Sequence, residues 1–461
     1  MRKPLLLWRF FVIGDVFLID TVEKAMDFIK ATNWKGSVLG LERIGELMRL
    51  AGDVQKQLRF VHIAGTNGKG STAAMAANVL ATAGYKVGLF TSPFLEDFNE
   101  LIQINGVKLP NDRLVFLCAQ LQACAAQMED APTEYEIITA LAFLHFFHEK
   151  CDIVVLEVGM GGRLDSTNVI DTPEVAVITA IGLDHMEYLG GTVEKIAGEK
   201  AGIIKGGLVV CHPQGETVKR VILEKCASVG AEATFAEVPF ANTLANFTQS
   251  FKYSDERFSI PLLGSHQRQN AAVVIEITKA LRRRGWEISD NALQEGLANT
   301  RWPGRFELIR TNPPFIIDVA HNPQGIQAAL RTLQKVFPNR RFIFIFGVLA
   351  DKDFKEMAEL LLPHAKKIFL VTPENPRALP ATELAEYFYS ILSAQALPPQ
   401  NKFVAKCDVF TCEEISQGIA LATQAAEENA KKSVNNTAYA NVICALGSLS
   451  LVGTVRKYVA N

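Results

Sequence analysis

Phe60-Val-His-Ile-Ala-Gly65-Thr66-Asn67-Gly68-Lys69-Gly70-Ser71-Thr72 is the stretch that decides the fold. An apolar, β-rich run leads into a glycine-rich turn, and the turn leads into an alanine-rich stretch, Ser71 to Ala83, that reads as a helix stopping at Gly84. Glycines at this spacing let the backbone aim its N–H groups at one point, and the helix N-terminus adds positive dipole there. Lys69 supplies a full charge for β- and γ-phosphates, and Ser71 or Thr72 a hydroxyl for Mg²⁺. The expected nucleotide cradle is therefore Gly65, Thr66, Asn67, Gly68, Lys69, Gly70, Ser71 and Thr72. The order departs from G-x-x-x-x-G-K-[ST], because Ile occupies position 63 and Gly70 separates Lys69 from Ser71. Every physical ingredient of a phosphate loop is nonetheless in place.

Working outward, short apolar runs alternate with helical stretches: Lys86–Phe90, Asp152–Glu157, Val175–Ala180 and Leu208–Val210, with a helix from Glu136 to Phe147. Near-continuous apolar strands separated by helices predict a parallel sheet covered on both faces. A second alternation follows Arg301-Trp-Pro-Gly304, with strands at 315–318, 341–346, 367–371 and 440–447 and a helix over 324–336. The expected fold is α/β: a P-loop-type, mostly parallel sheet domain followed by a smaller Rossmann-like α/β domain. The boundaries read as an N-terminal extension at 1–18, a nucleotide domain at 19–296, a linker at 297–303 and a second domain at 304–461.

The 461 residues carry 47 basic and 49 acidic side chains, a net charge of −2. No overall positive field exists to hold a nucleic acid backbone, whereas a small anion needs only a local cradle. The eight cysteines contain no C-x-x-C pair, which reads as reduced thiols in the cytoplasm. The basic and apolar start imitates a signal peptide, but Arg9 interrupts it and no A-x-A site follows, so the reading is an extension rather than a leader. No segment reaches the ~18 apolar residues of a membrane span.

Further segments run from about residue 20 to the C-terminus: Leu39-Gly-Leu-Glu-Arg-Ile44, Thr91-Ser-Pro-Phe94, Glu157-Val-Gly-Met-Gly-Gly-Arg-Leu-Asp-Ser-Thr-Asn168, Gly182-Leu-Asp-His185, Gly198-Glu-Lys-Ala-Gly202, His266-Gln267 with Asn270, Trp302-Pro-Gly-Arg305, and Asp318-Val-Ala-His-Asn-Pro323. In this order they resemble the folylpolyglutamate synthase/dihydrofolate synthase family of the Mur ligase superfamily. The resemblance implies an ATP-dependent ligase: a folate carboxylate attacks the γ-phosphate, and the amine of L-glutamate displaces phosphate from the acyl phosphate. It also implies small-molecule substrates only (folate or dihydropteroate, L-glutamate, ATP), no nucleic acid, no membrane, and a monomer.

The same resemblance assigns the site. Lys69, His185, Lys200, Asp318 and His321 are the implied catalytic residues. Asn270, Arg305 and Asp318 join the cradle in holding ATP, and Ser71, Ser92, Glu157, His185 and Lys200 hold two Mg²⁺ ions, Lys200 as a carbamate. Taken alone, Glu157 ends an apolar strand beside the phosphate loop, where an acid can reach Mg²⁺. Alone, too, Lys200 reads equally well as a surface charge beside Glu199, and His321 as a turn residue before Asn-Pro.

Three positions depart from the common family pattern: Phe94 suits stacking on a pterin, Leu101 removes a cation, and Val319 places bulk where glycine gives the backbone freedom. Two other readings compete. A regulatory P-loop ATPase or switch predicts an N-K-x-D purine loop, which the sequence lacks, and leaves Asp318 to Asn322 without purpose. Another Mur-superfamily amino-acid ligase, of the cell-wall kind, predicts Lys followed directly by Thr or Ser.

Overall fold

The computed structural model describes residues 19–36, 38–395, 407–432 and 441–460; the extension expected at 1–18 lies outside them. The chain divides into two compact units. One holds the chain up to Thr243, Ser250–Ile260 and Gln267–Thr300; the other holds Leu244–Gln249, Pro261–His266 and the chain from Arg301 onward.

In the first unit four of the apolar runs become strands buried at every position, and the fifth, at 208–211, is buried except at Leu208, as a sheet with helices on both faces requires. Its strands are β1 (Phe60–Ala64), β2 (Val87–Phe90), β3 (Ile102–Ile104), β4 (Val107–Lys108), β5 (Ile153–Glu157), β6 (Val175–Ile178), β7 (Leu208–Cys211) and β8 (Glu232–Phe235). They lie in the order β4-β3-β2-β5-β1-β6-β7-β8. All neighbours are parallel except β2–β3 and β3–β4. β1 is central, so the turn that follows it opens at the carboxyl edge, where the chain switches from one side of the sheet to the other.

The helix Lys69–Thr82 starts two residues earlier than the sequence suggests. Its small side chains, Ala73, Ala74, Ala76 and Ala77, are all buried, which lets it lie close to the sheet. The helix Glu134–His148 begins with a capping box, Thr133 and Glu136 satisfying each other's backbone N–H groups. Its Phe143 and Phe146 sit in a core with Phe28, Ile44, Leu47 and Phe90. Leu101, 4% exposed, belongs to that core.

Among the strands with no counterpart in the sequence reading are β3, β4 and β8 and three more, β9 (Phe240–Ala245), β10 (Thr248–Tyr253) and β11 (Glu256–Ile260), which form a small sheet of their own. Their connections are two-residue turns, Asn246-Phe247 and Ser254-Asp255, with positive φ at all four positions. That is the hairpin geometry usually signalled by Asn-Gly or Asp-Gly; without a glycine the turns leave no mark in the sequence.

The second unit carries β12 (Glu307–Thr311), β13 (Pro314–Ile317), β14 (Phe342–Phe346), β15 (Ala365–Leu370), β16 (Asp408–Thr411) and β17 (Ile443–Leu446), ordered β12-β13-β17-β14-β15-β16. Only β12–β13 is antiparallel. The helix Pro323–Val336 starts with proline at its first turn and Asn322 as N-cap, its side chain accepting from Gly325 N–H. Ile326, Leu330 and Leu333 of that helix pack with Phe342, Phe344 and Phe346. The architecture is the expected α/β pair of sheets.

Candidate active site

The turn after β1 is shaped by the segment that leaves its sheet neighbour β6. The N–H groups of Thr66 and Asn67 both donate to Ala180 O (2.9 and 3.1 Å), and Thr66 Oγ1 exchanges hydrogen bonds with the backbone of Gly182. The first half of the loop is thereby tied to the exit of β6. The open donors begin at Gly68, the N-cap: Gly68, Lys69, Gly70 and Ser71 are the first four N–H groups of the helix, for which no intrahelical acceptor exists. This narrows the cradle expected from Gly65 to Thr72.

Both glycines that frame the loop are steric necessities. Gly65 has φ +154°, and a Cβ there would overlap Thr179 Oγ1; Gly68 has φ +88°, and its Cβ would fall 2.5 Å from Asn270 Oδ1. Asn270 therefore stands against the loop. Ser71 Oγ accepts from Gln267 Nε2 (3.2 Å), while the Thr72 hydroxyl is buried with no partner among the described residues. An orphaned hydroxyl beside four open N–H groups fits an anionic ligand.

Two lysines meet at the loop's first carbonyl: Lys69 Nζ donates to Gly65 O at 3.0 Å and Lys200 Nζ to the same atom at 2.8 Å. Lys200 is 4% exposed. The surface reading fails, because Glu199 is taken by Arg163 (2.9 Å) while Lys200 points inward. Burial, with the Lys69 charge adding to it, brings the Lys200 amine down to about 7. Glu157, 4% exposed, ends β5 in register with Ile63 of β1, and Ser92 N–H reaches its Oε2 at 3.4 Å. Ser92 and Glu157 are thus brought together. His185 stands on the exposed turn after β6 in the left-handed conformation (φ 50°), 3.9 Å from Asp184. Among the described residues no three His, Cys, Asp or Glu side chains converge as a ready metal cage.

Behind these groups lies a buried chain that the sequence reading did not assign. His62 Nε2 meets Thr167 Oγ1 (2.9 Å), Thr167 Oγ1 donates to Asp165 Oδ1 (2.5 Å), and Asp165 Oδ2 accepts from Met160 N–H (2.9 Å). It holds the glycine-rich segment 159–162 beside Glu157. The Tyr135 ring abuts Gly159, and burial, with Asp165 and Glu157 nearby, pushes its phenol well above the usual range. An internal strand histidine and a tyrosine inside a capping box look like core residues in a sequence.

In the second unit Asp318 leaves β13 at its carboxyl end with both oxygens engaged, Oδ2 by Phe306 N–H (2.9 Å) and Oδ1 by Ala320 N–H (2.8 Å). Burial raises its carboxyl above the ordinary value, partly offset by Arg305. Asp318, Arg305 and the 304–306 turn thus form one cluster. His321 Nδ1 faces Val319 O at 2.9 Å; a carbonyl only accepts, so Nδ1 carries a proton, and in the neutral ring Nε2 is the nitrogen that holds the lone pair. Val319 is 2% exposed and is not among the positive-φ residues. The freedom of glycine is not needed there, and its bulk is absorbed by the core.

Comparisons with known proteins agree with this geometry. Residues 63–278 match the Mur ligase middle domain and residues 304–446 the Mur ligase glutamate ligase domain. The chain is 41% identical over 363 residues to the dihydrofolate synthase/folylpolyglutamate synthase of Bacillus subtilis (strain 168), spanning 75% of this chain and 84% of that protein. Mycobacterium tuberculosis folylpolyglutamate synthase complexed with ADP and AMPPCP superposes with TM-score 0.83 at 31% identity, covering 92% of this chain and 96% of that one. Escherichia coli FolC in complex with DHPP and ADP gives TM-score 0.79 at 28% identity, covering 95% and 98%. The chain belongs to the folylpolyglutamate synthase/dihydrofolate synthase family of the Mur ligases.

Proposed function

We propose that the protein is an ATP-dependent ligase that joins L-glutamate to the carboxylate of folates through an acyl phosphate. The observation that carries this reading is the loop of residues 65–72, with its four open N–H groups, Lys69 and an orphaned Thr72 hydroxyl, next to a buried carboxylate, Glu157. Such a loop suits the triphosphate of ATP. Residues 19–296 would hold the nucleotide, 304–461 the incoming glutamate, with 297–303 as linker.

In the reaction a carboxylate oxygen of the folate attacks the γ-phosphorus and the bond to ADP breaks. The amine of glutamate then attacks the acyl carbon, phosphate leaves with the C–O bonding pair, and the amine gives up a proton. A carboxylate approaching a triphosphate meets strong repulsion, and Lys69 with the helix N-terminus offsets it. His321, with its lone pair on Nε2, suits acceptance of the amine proton, and Asp318 with Arg305 orients groups at the same turn. Phe94, 42% exposed, offers a ring face for a pterin.

Mg²⁺ fits the oxygen donors Ser71, Ser92 and Glu157, with His185 as a fourth donor, and when bound it supplies charge neutralisation at the phosphates. Lys200 fits only after conversion to an anion. Its lowered amine favours the neutral form that reacts with CO₂: the nitrogen lone pair forms the N–C bond, a proton leaves, and a carbamate results. The name of the Bacillus subtilis relative carries two activities, which supports addition of glutamate to dihydropteroate as a second activity of the same site. Eight unpaired thiols suit a reducing compartment such as the cytoplasm, where the protein would work as a monomer on small molecules.

ADP release that requires folate, glutamate and Mg²⁺ together tests the reading. Turnover indifferent to every carboxylate substrate would favour a regulatory ATPase instead.

A further inference from the structure

Gln267 lies in the first turn of the helix Ser265–Arg283, and none of the chemistry above employs it. It is 2% exposed, as is Asn270, and Ser71 is 3% exposed. These three side chains form one chain of hydrogen bonds. Asn270 Nδ2 donates to Gln267 Oε1 (3.1 Å), and Gln267 Nε2 donates to Ser71 Oγ (3.2 Å). Asn270 Oδ1 stands against Gly68, where a Cβ would meet it at 2.5 Å, so the whole chain braces the phosphate loop from one side.

A serine hydroxyl has one proton and two lone pairs. The Gln267 amide occupies one lone pair and turns the proton away from itself, leaving the other lone pair and the O–H directed elsewhere. Asn270 keeps the amide from turning over alone, because a flipped Gln267 would set its own N–H₂ against that of Asn270. With little exposure at any of the three, water is a poor substitute for a lost partner.

We propose that Gln267 is a positioning residue: it orients the Ser71 hydroxyl so that a lone pair meets the Mg²⁺ of the bound nucleotide, and so sets the metal-dependent part of nucleotide affinity. The inference rests on the reading that the loop binds a Mg²⁺-nucleotide. Partners that orient a metal ligand typically contribute about ten- to a hundredfold in metal affinity.

Isothermal titration of ADP, once with Mg²⁺ and once with EDTA, tests it on the full-length wild type, Gln267→Met, Ser71→Ala and the double variant. Gln267→Met is expected to weaken ADP binding about tenfold with Mg²⁺ and less than about twofold in EDTA. In the Ser71→Ala background it should have no further effect. Equal losses in both buffers, an undiminished effect without the serine, or no loss at all would overturn the proposal. Should Gln267→Met fail to melt cooperatively, Gln267→Asn, which keeps the amide but shortens its reach, carries the same expectations. Wild type that binds ADP in neither buffer overturns the nucleotide reading and this inference with it, whereas normal binding by wild type and variant alike overturns only the inference.

Discussion

Lys69 and Lys200 donate to a single carbonyl oxygen, that of Gly65, at 3.0 and 2.8 Å. Two ammonium groups sharing one acceptor repel each other, and Lys200 is the one deprived of water. Burial is the larger cause of its lowered pKa and the Lys69 charge the next. The phosphate loop thus carries beside it an amine that is partly neutral near physiological pH, which is the form needed for addition to CO₂.

Lys200 should take up label from ¹³C-bicarbonate, seen as a carbamate signal by NMR, and the signal should grow as pH rises through about 7. Lys200→Ala should abolish the signal and lower turnover by about a hundredfold, the scale of losing a preorganised charge at a phosphoryl-transfer site. Turnover by Lys200→Ala close to wild type would remove the carbamate from the account.

The same lysine predicts a pH dependence of stability. Folding lowers its pKa from the ordinary lysine value of 10.5 to about 7, so between those values the unfolded chain holds a proton that the folded one has released. Stability contributed by this site therefore rises with pH across that window, and below about 7 the cost of burying the charge is present in full. Melting temperatures measured in CO₂-free buffer should climb on the alkaline side of 7 for wild type and flatten for Lys200→Met.

Gly68→Ala should damage the loop twice. The left-handed backbone at φ +88° costs a side chain about 1–2 kcal/mol, and the new Cβ drives Asn270 away from the loop. A lowered melting temperature together with weaker ADP binding is the expected outcome. Wild-type affinity in Gly68→Ala would show that the loop adapts without its neighbour.

Arg43 illustrates a motif residue whose job is stability. Its guanidinium pairs with Glu136, 1% exposed, at 3.1 Å, joining the helix Glu42–Leu50 to the helix Glu134–His148. Arg43→Met leaves a buried carboxylate without its cation, a loss of about 3–5 kcal/mol. Chemical denaturation should report it, with turnover per folded molecule little changed.

Asp318→Asn tests the second unit. Each carboxylate oxygen accepts a backbone N–H, from Phe306 and from Ala320. An amide can satisfy only one of them and sets its own N–H₂ against the other, at about 1–3 kcal/mol for the unmet group. The Trp302–Phe306 turn should loosen, seen as faster amide exchange there and a higher KM for L-glutamate.

Local sequence carried much of this. The phosphate loop and the strands around it were legible because their cause is local: Phe60–Ala64 is apolar on both faces apart from His62, and glycine is the residue that positive φ demands at 65 and 68. The hairpins of 240–260 were hidden because Asn246-Phe247 and Ser254-Asp255 reach positive φ without glycine. The burial of Lys200 was hidden too, since only the fold brings residue 200 to the carbonyl of residue 65. For the same reason Gln267 and His62 carried no visible role: their partners, Ser71 and Thr167, stand far away along the chain.

The most direct test of the ligase account is ADP release by the purified chain with tetrahydrofolate, L-glutamate and Mg²⁺, each omitted in turn, alongside mass spectrometry of the folate product. ADP is expected only when all three accompany ATP, with one glutamate residue added per ADP released. ADP formed equally without folate or without glutamate, or no gain in product mass, would contradict it.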